Sequence, residues 1–289
     1  MKEPIVYING LFTCLGNAKI SILDRGFCYG DGLFETIRVN QGKINLLEQH
    51  INRLTNSLTE IFIDLPMTRK ELIKAVQETL DRNKYKNAII RLAITRGNTH
   101  SNIQIDSNIA PTVVINIYPF TPPKKSFYKK GIKIKLFKER ANLINGIPNR
   151  LKSSNYLSNI LIKQNSDKNN FMEGVIVDPD FGVTEGTTSN IFLVKNGLLK
   201  TPKISPYVLP GITRQVVLDI AKDHKIPFIE ESITADELIN ADEVFITNSA
   251  IEIVPVIQID SQFIANKKPG ILTGFFHEEF LKCVEANLN

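Results

Sequence analysis

Residues 191–202 read IFLVKNGLLKTP, and the fold turns on whether that stretch is a helix or two strands. Short apolar runs flank Asn196-Gly197, a pair that tolerates the positive φ of a tight turn, so the segment reads as an antiparallel hairpin. The signal recurs at Asn9-Gly10 in VYINGLFTC and from Asn40 to Gly42 in IRVNQGKINL. Between these hairpins the apolar period lengthens. Leu47, Ile51, Leu54 and Leu58 make a helical stripe, and Leu72, Val76 and Leu80 make another behind a capping box from Thr68 to Glu71. Further helices are predicted over about 153–166, 212–223, 234–240 (capping box Thr234 to Glu237) and 273–287. Hairpins interleaved with helices, without regular βαβ alternation, predict an α+β protein with antiparallel sheets and flanking helices.

The chain has 289 residues, 43% apolar and 22% charged, which suits two medium-sized globular domains. Proline removes backbone donors and stiffens an extended path, so YPFTPPKK, with Pro119, Pro122 and Pro123, reads as a linker. It divides an N-terminal α+β domain, residues 1–120, from a C-terminal domain, residues 121–289. The start, MKEPIVYING, has no apolar segment of signal-peptide type, and no apolar run is long enough for a bilayer. The expectation is a cytoplasmic protein without membrane contact. Cys14, Cys28 and Cys283 have neither zinc spacing nor the density of a disulfide scaffold. The net charge is +5, and seven lysines fall between Lys124 and Lys138. Because Lys133 and Lys135 alternate with Ile132, Ile134 and Leu136, that segment reads as a strand with a solvated face, not as a nucleic-acid surface. A non-catalytic polyanion binder using those lysines is the competing view.

Familiar catalytic motifs are absent: there is no P-loop, no G-x-S-x-G and no H-E-x-x-H, and His50, His100, His224 and His277 are too dispersed for a metal site. Five other features carry chemistry. Lys152, in RLKSSNYL, precedes a predicted helix whose positive N-terminal end, together with desolvation, favours the neutral amine that attacks carbonyls. Glu185, in VTEGTTSNIFLV, is followed by a glycine and three hydroxyl residues and is placed to pair with a cationic ring nitrogen. LPGITRQVVLDIA opens a helix whose free amides at Ile212 and Thr213 form an anion site. In EVFITNSAIEIVPV, Thr247, Asn248 and Ser249 interrupt two apolar runs with phosphate-binding groups. Arg53, in HINRL, lies off the apolar stripe of its helix, within reach of a phosphate. Alone, Lys152 reads better as a surface lysine and Arg53 as a solvated arginine, and the other features read as well as a plain turn or an ordinary helix start. Their combination is what a pyridoxal 5'-phosphate site requires. Arg91, in AIIRLAI, is a strand arginine that needs a partner if buried, either a substrate carboxylate or a structural acid.

The segments GFCYGDGLFETIR, EQHINRL, RLKSSNYL, VTEGTTSNIFLV, LPGITR and ADEVFITNSAIEIVPV resemble, in order and spacing, the class IV aminotransferases, the fold type IV pyridoxal-phosphate enzymes. The resemblance covers nearly the whole chain. It implies that Lys152 bonds the cofactor and then carries the proton, and that Tyr156 bonds the cofactor's phenolic oxygen. It implies further that Glu185 keeps the pyridine nitrogen protonated, and that Arg53, Ile212, Thr213 and Ser249 bind the phosphate. Tyr29, Phe34 and Arg91 are the candidate substrate contacts. A homodimer is also implied, with a pseudo-barrel in the C-terminal domain and an active site between the domains completed by a partner loop. Within the family, LFETIR, LPGITRQVVL and TNSAIEIVP look most like the 4-amino-4-deoxychorismate lyases of folate biosynthesis, which release pyruvate and 4-aminobenzoate. That reading stands first. The alternative is a branched-chain or D-amino-acid aminotransferase. Against it stand Asn98 where D-amino-acid enzymes have the arginine of Arg-x-His, and Asn248-Ser249-Ala250 where branched-chain enzymes have Gly-Thr-Ala.

Overall fold

Alternating strands and striped helices sort into two units in the computed structural model, which describes residues 3–99, 103–105, 109–138 and 150–286. One unit takes in Met1–Thr121 and Leu151–Asn155, the other Pro122–Arg150 and Tyr156–Asn287. The short segment carrying Lys152 thus returns to the first unit after the chain has left it.

The first unit contains β1 (Ile5–Ile8), β2 (Leu11–Cys14), α1 (Arg25–Tyr29), β3 (Gly32–Asn40), β4 (Lys43–Ile44), α2 (Leu47–Glu60), α3 (Arg69–Asn83), β5 (Ala88–Thr95) and β6 (Thr112–Pro119). The strands form an antiparallel sheet in the order β2-β1-β6-β5-β3-β4. The β1–β2 and β3–β4 turns use the predicted residues: Asn9 and Gly10 have φ of 46° and 92°, Gln41 and Gly42 of 53° and 82°. Side chains alternate across a strand, so Leu33, Ile37 and Val39 of β3, Ile90, Leu92 and Ile94 of β5 and Val113, Ile115 and Ile117 of β6 share one buried face. The stripes Ile51, Leu54 and Leu58 of α2 and Leu72, Val76 and Leu80 of α3 cover it. The capping box at α3 is complete: Glu71 N donates to Thr68 Oγ1 at 3.3 Å and Thr68 N to Glu71 Oε2 at 2.7 Å. On the opposite face Thr36, Arg91 and Asn116 stand side by side in register.

The second unit contains α4 (Lys125–Lys130), β7 (Ile132–Lys138), α5 (Leu157–Lys168), β8 (Glu173–Asp178), β9 (Gly182–Gly186), β10 (Asn190–Lys195), β11 (Leu198–Thr201), α6 (Ile212–Asp223), β12 (Phe228–Glu230), α7 (Ala235–Ile239), β13 (Glu243–Asn248), β14 (Glu252–Ile259), β15 (Gln262–Phe263) and α8 (Ile271–Ala286). Its sheet runs β12-β11-β10-β13-β14-β7-β8-β9, with β15 on β14. Unlike the first sheet it is mixed, because β7 lies parallel to both β14 and β8, and β12 lies parallel to β11. Parallel neighbours need a crossover, and α5 lies in the chain between β7 and β8. The lysine-rich segment divides into the helix α4 and the inner strand β7, where Ile132 and Ile134 are buried and Lys133 is exposed. One face of the sheet buries Ile134, Val175, Ile191, Leu193, Ile246 and Val254 with Leu238 of α7. Phe192, Phe245 and Phe276 of α8 interlock elsewhere, with ring centroids 4.9 and 5.9 Å apart along the series. The capping box at Thr234 is also complete. Among the described residues no helix is long and apolar enough to cross a membrane.

Candidate active site

Lys152 does not sit at a helix start. The helix predicted from about 153 spans Leu157–Lys168, because the residues before it pair with β3: Phe34 N donates to Lys152 O at 2.9 Å, Ser154 N to Gly32 O at 3.0 Å, and Leu33 and Ser153 form an antiparallel bridge. A helix dipole therefore does not act on Lys152 as the sequence suggested. Tyr156 is the N-cap of α5, with φ −100°. What holds Lys152 is the pairing of its own extended segment with β3, which fixes its backbone while its side chain stays half-buried. Its Nζ lies 4.8 Å from the centroid of the buried Phe34 ring, and Arg91 Cζ lies 3.1 Å from the same centroid. Two cations thus share one aromatic ring. Tyr29 ends α1, is 47% exposed, and has the Arg25 guanidinium 5.2 Å from its ring.

Strand alternation sends Glu35, the residue after Phe34, to the helix side of β3, where it is 1% exposed. There Arg53 Nε donates to Oε1 at 2.8 Å and Nη2 to Oε2 at 2.6 Å, and His50 Nδ1 lies 2.7 Å from Oε2. Burial acts to raise the Glu35 pKa, but the charge of Arg53 and the hydrogen bonds from Arg53 and His50 outweigh it and hold the carboxyl far below its ordinary range. His50 is shifted down, first by burial and then by the nearby Arg53 and Lys152 charges, against the pull of Glu35. It is therefore neutral, with Nδ1–H donating to the carboxylate. Arg53 is not the solvated arginine of the simpler reading: its side chain is 10% exposed.

In the second unit Glu185 lies on β9 and is 9% exposed. Leu209 N donates to its Oε2 at 2.8 Å, and Asn190 Nδ2 lies 3.5 Å from the same oxygen while donating to Leu209 O at 2.8 Å. Asn190 also faces Gly211, where any Cβ would run into Asn190 Oδ1. Gly211 is the N-cap of α6, has no side-chain cap, and directly precedes Ile212 and Thr213. Asn190 therefore ties the acid to the free-amide end of a 12-residue helix. Thr247 faces Asn190 across the β10–β13 ladder, and its buried Oγ1 has no hydrogen-bond partner among the described residues. The next turn is closed by Asn248 Oδ1, which accepts from Ala250 N at 2.9 Å and Ile251 N at 2.8 Å around half-buried Ser249.

The hydroxyls after Glu185 turn to a neighbouring carboxylate, with Thr187 and Ser189 buried and Thr188 exposed. Glu173, 3% exposed, accepts from Thr187 Oγ1, from Thr188 Oγ1 at 2.9 Å and from Ser189 Oγ at 3.1 Å, and from the amides of Gly174 and Thr187 at 2.9 and 3.2 Å. This buried carboxylate pins the loop that joins Glu185 to Asn190. Sequence patterns do not single out Glu35, His50, Glu173 or Asn190 as site residues. The only local signals are an acid in the apolar run LFETI and a second acid, Glu173, entering the apolar strand EGVIV. His100 lies outside the described residues.

A buried, unpartnered hydroxyl at Thr247, a helix start left open by Gly211 and a carboxylate held in place at Glu185 suit a phosphate and a protonated ring nitrogen, so the residues present fit pyridoxal phosphate. Comparison with known proteins bears on the same point. The family profile described as Amino-transferase class IV matches residues 32–259. A putative branched-chain-amino-acid aminotransferase of Methanocaldococcus jannaschii is 39% identical over 275 residues, covering 95% of this chain and 94% of the relative. A D-alanine aminotransferase of Bacillus licheniformis is 34% identical over 268 residues, 93% of each chain. Among solved structures, the T.th. branched-chain amino acid aminotransferase with pyridoxamine 5'-phosphate superposes with a TM-score of 0.92 at 28% identity, over 98% of this chain and 95% of that one. A putative 4-amino-4-deoxychorismate lyase of Legionella pneumophila has a TM-score of 0.82 at 24% identity, over 93% and 96%, a likeness of fold alone.

Proposed function

Since the chain belongs to the class IV aminotransferase family of pyridoxal-phosphate enzymes, we propose that it is an aminotransferase moving the amino group of a branched-chain or D-amino acid to a 2-oxo acid. The observation that carries this reading is the near full-length identity, 39% and 34%, to relatives named as aminotransferases of those two substrate classes. It reverses the order suggested by the sequence motifs, in which the lyase came first. TNSAIEIVP still favours the lyase, and that is kept as the second reading.

When bound, pyridoxal phosphate supplies an electron sink for the charge left as a proton departs from the substrate carbon. The rest falls to the chain. Lys152, its backbone fixed on β3, would bond the cofactor and carry the proton. Glu185, oriented by Leu209 N and Asn190, would hold the ring nitrogen protonated. Arg53, the amides of Ile212 and Thr213, and Ser249 would bind the phosphate, and Thr247 Oγ1 joins them as a buried donor. Tyr156 would donate to the phenolic oxygen. Arg91, with its guanidinium over Phe34, would meet the substrate carboxylate, with Phe34 and Tyr29 bordering the substrate. A homodimer is supported by exposed apolar side chains between Leu11 and Tyr29, among them Ile22 at 77% and Phe27 at 75%. Three cysteines without disulfides are in keeping with the cytoplasm.

The test assays purified protein with L-leucine and with D-alanine, each with 2-oxoglutarate, and separately with 4-amino-4-deoxychorismate. Turnover of either amino acid is expected. Release of 4-aminobenzoate without any transamination would install the lyase reading instead.

A further inference from the structure

We propose that Glu35 and His50 are positioning residues that lock Arg53 as a rigid phosphate donor, so that together they select the phosphorylated form of the cofactor over the unphosphorylated one. The inference rests on the reading of Arg53 as a phosphate ligand and extends it to two residues with no role in that reading.

A buried carboxylate is costly unless its charge is met. Glu35 sits mid-strand on β3, surrounded by Leu33, Ile37 and the apolar stripe of α2, and an ionised group there persists only if it is paired and hydrogen-bonded. His50 and Arg53 both come from one helix, three residues apart, the spacing that puts two side chains on one helix face. Arg53 offers its Nε–Nη2 edge to both carboxylate oxygens, the fork geometry that fixes a guanidinium plane as well as its position. His50 Nδ1–H occupies the oxygen that Arg53 Nη2 also uses, so the carboxylate cannot rotate away. The cluster holds one negative and one positive charge with a neutral imidazole.

A long arginine loses about 2 kcal/mol of rotamer entropy when it is held in one place; here the fold has already imposed that loss, and an arriving phosphate meets a preset donor. Glu35 thus trades some attraction for an anion against geometry, the exchange expected of a site that discriminates by shape.

The test titrates the apoprotein with pyridoxal phosphate and with pyridoxal, following cofactor absorbance. Arg53→Gln is expected to weaken the phosphate ester and leave pyridoxal nearly unaffected. Glu35→Gln is expected to weaken pyridoxal phosphate about tenfold and pyridoxal less than about twofold, with no added effect in the Arg53→Gln background. Should Glu35→Gln not fold, His50→Leu, which removes the donor to Glu35, is expected to weaken pyridoxal phosphate selectively, and His50→Asn, which keeps a donor there, to restore it. If Arg53→Gln abolishes discrimination while Glu35→Gln and His50→Leu leave it intact, the proposal is overturned and the proposed function stands. Equal weakening of both ligands makes the cluster purely structural and also overturns it. If Arg53→Gln does not alter discrimination, the phosphate reading of Arg53 fails and the proposal falls with it.

Discussion

Protonation of His50 sets a measurable acid limit on this fold. In the unfolded chain the imidazole has its ordinary value of 6.5, whereas in the fold it is shifted down, first by burial. The unfolded state then binds a proton that the native state refuses, and stability falls as pH drops below about 6.5, by up to about 1.4 kcal/mol per pH unit. Between about pH 7 and pH 5 the loss from this one residue is at most about 2 kcal/mol, the limit for a ring that stays unprotonated in the fold. Glu35 acts in the same direction in a lower window, because its depressed carboxyl contributes stability that is present above 4.5 and lost as the pH falls further. The two effects therefore separate on the pH axis. His50→Asn removes the titrating ring and keeps an N–H for Glu35. Urea unfolding of the apoprotein, followed by circular dichroism at about pH 7, 6 and 5, should show the wild type losing more stability than the variant across that range, by up to about 2 kcal/mol. If the two proteins lose the same stability, His50 is not a neutral buried donor, and the charge assignment of the Glu35 cluster is wrong.

Three further outcomes follow from the geometry. Lys152→Ala should cut transamination by about a thousandfold or more with the fold intact, and borohydride reduction followed by peptide mass spectrometry should place the cofactor label on Lys152 in the wild type only. Gly211→Ala drives a Cβ against Asn190 Oδ1 and should cost about 1–3 kcal/mol in thermal unfolding while raising the pyridoxal-phosphate dissociation constant; an unchanged dissociation constant would detach Asn190 from the site. Glu173→Ala removes the acceptor of the buried Thr187 and Ser189 hydroxyls and of the Gly174 amide and should cost about 2 kcal/mol or more in chemical denaturation, with a loss below about 1 kcal/mol counting against the pinned-loop description.

The site is legible in the sequence where its chemistry depends on local backbone. The open amides of Ile212 and Thr213 follow from a proline-glycine entry into an apolar-striped helix, and α6 begins at Ile212 as predicted. Lys152 stands out as the unusual lysine, but the helix start that marked it is not there, since the residues after it belong to a sheet edge. Lys152, Ser153 and Ser154 carry no apolar alternation that would reveal a strand. Their pairing partner is Gly32–Phe34, far away in sequence, and a bridge of that kind leaves no periodic trace. Hydroxyls in TTSN suggest ligand contacts, yet their oxygens turn inward to Glu173. Which carboxylate a hydroxyl finds depends on how β8 and β9 align, and a bulge shifts that register between Val175 and Val177.

By itself the sequence determined what obeys short-range rules. Both capping boxes, the three Asn/Gly hairpins and the helical stripes are satisfied within a few residues, so composition and spacing suffice. Tertiary structure alone decided what needs two distant strands or a strand and a helix in register: Lys152 laid along β3, Arg91 and Lys152 sharing the ring of Phe34, Asn190 between Glu185 and Gly211, and Arg53 clamped by Glu35. In that last case alternation along β3 aims Glu35 at the helix side, and helical periodicity brings His50 and Arg53 to one face of α2. Only the docking of that face on the sheet makes the three meet, because a buried carboxylate has no stable alternative to the partners packed above it.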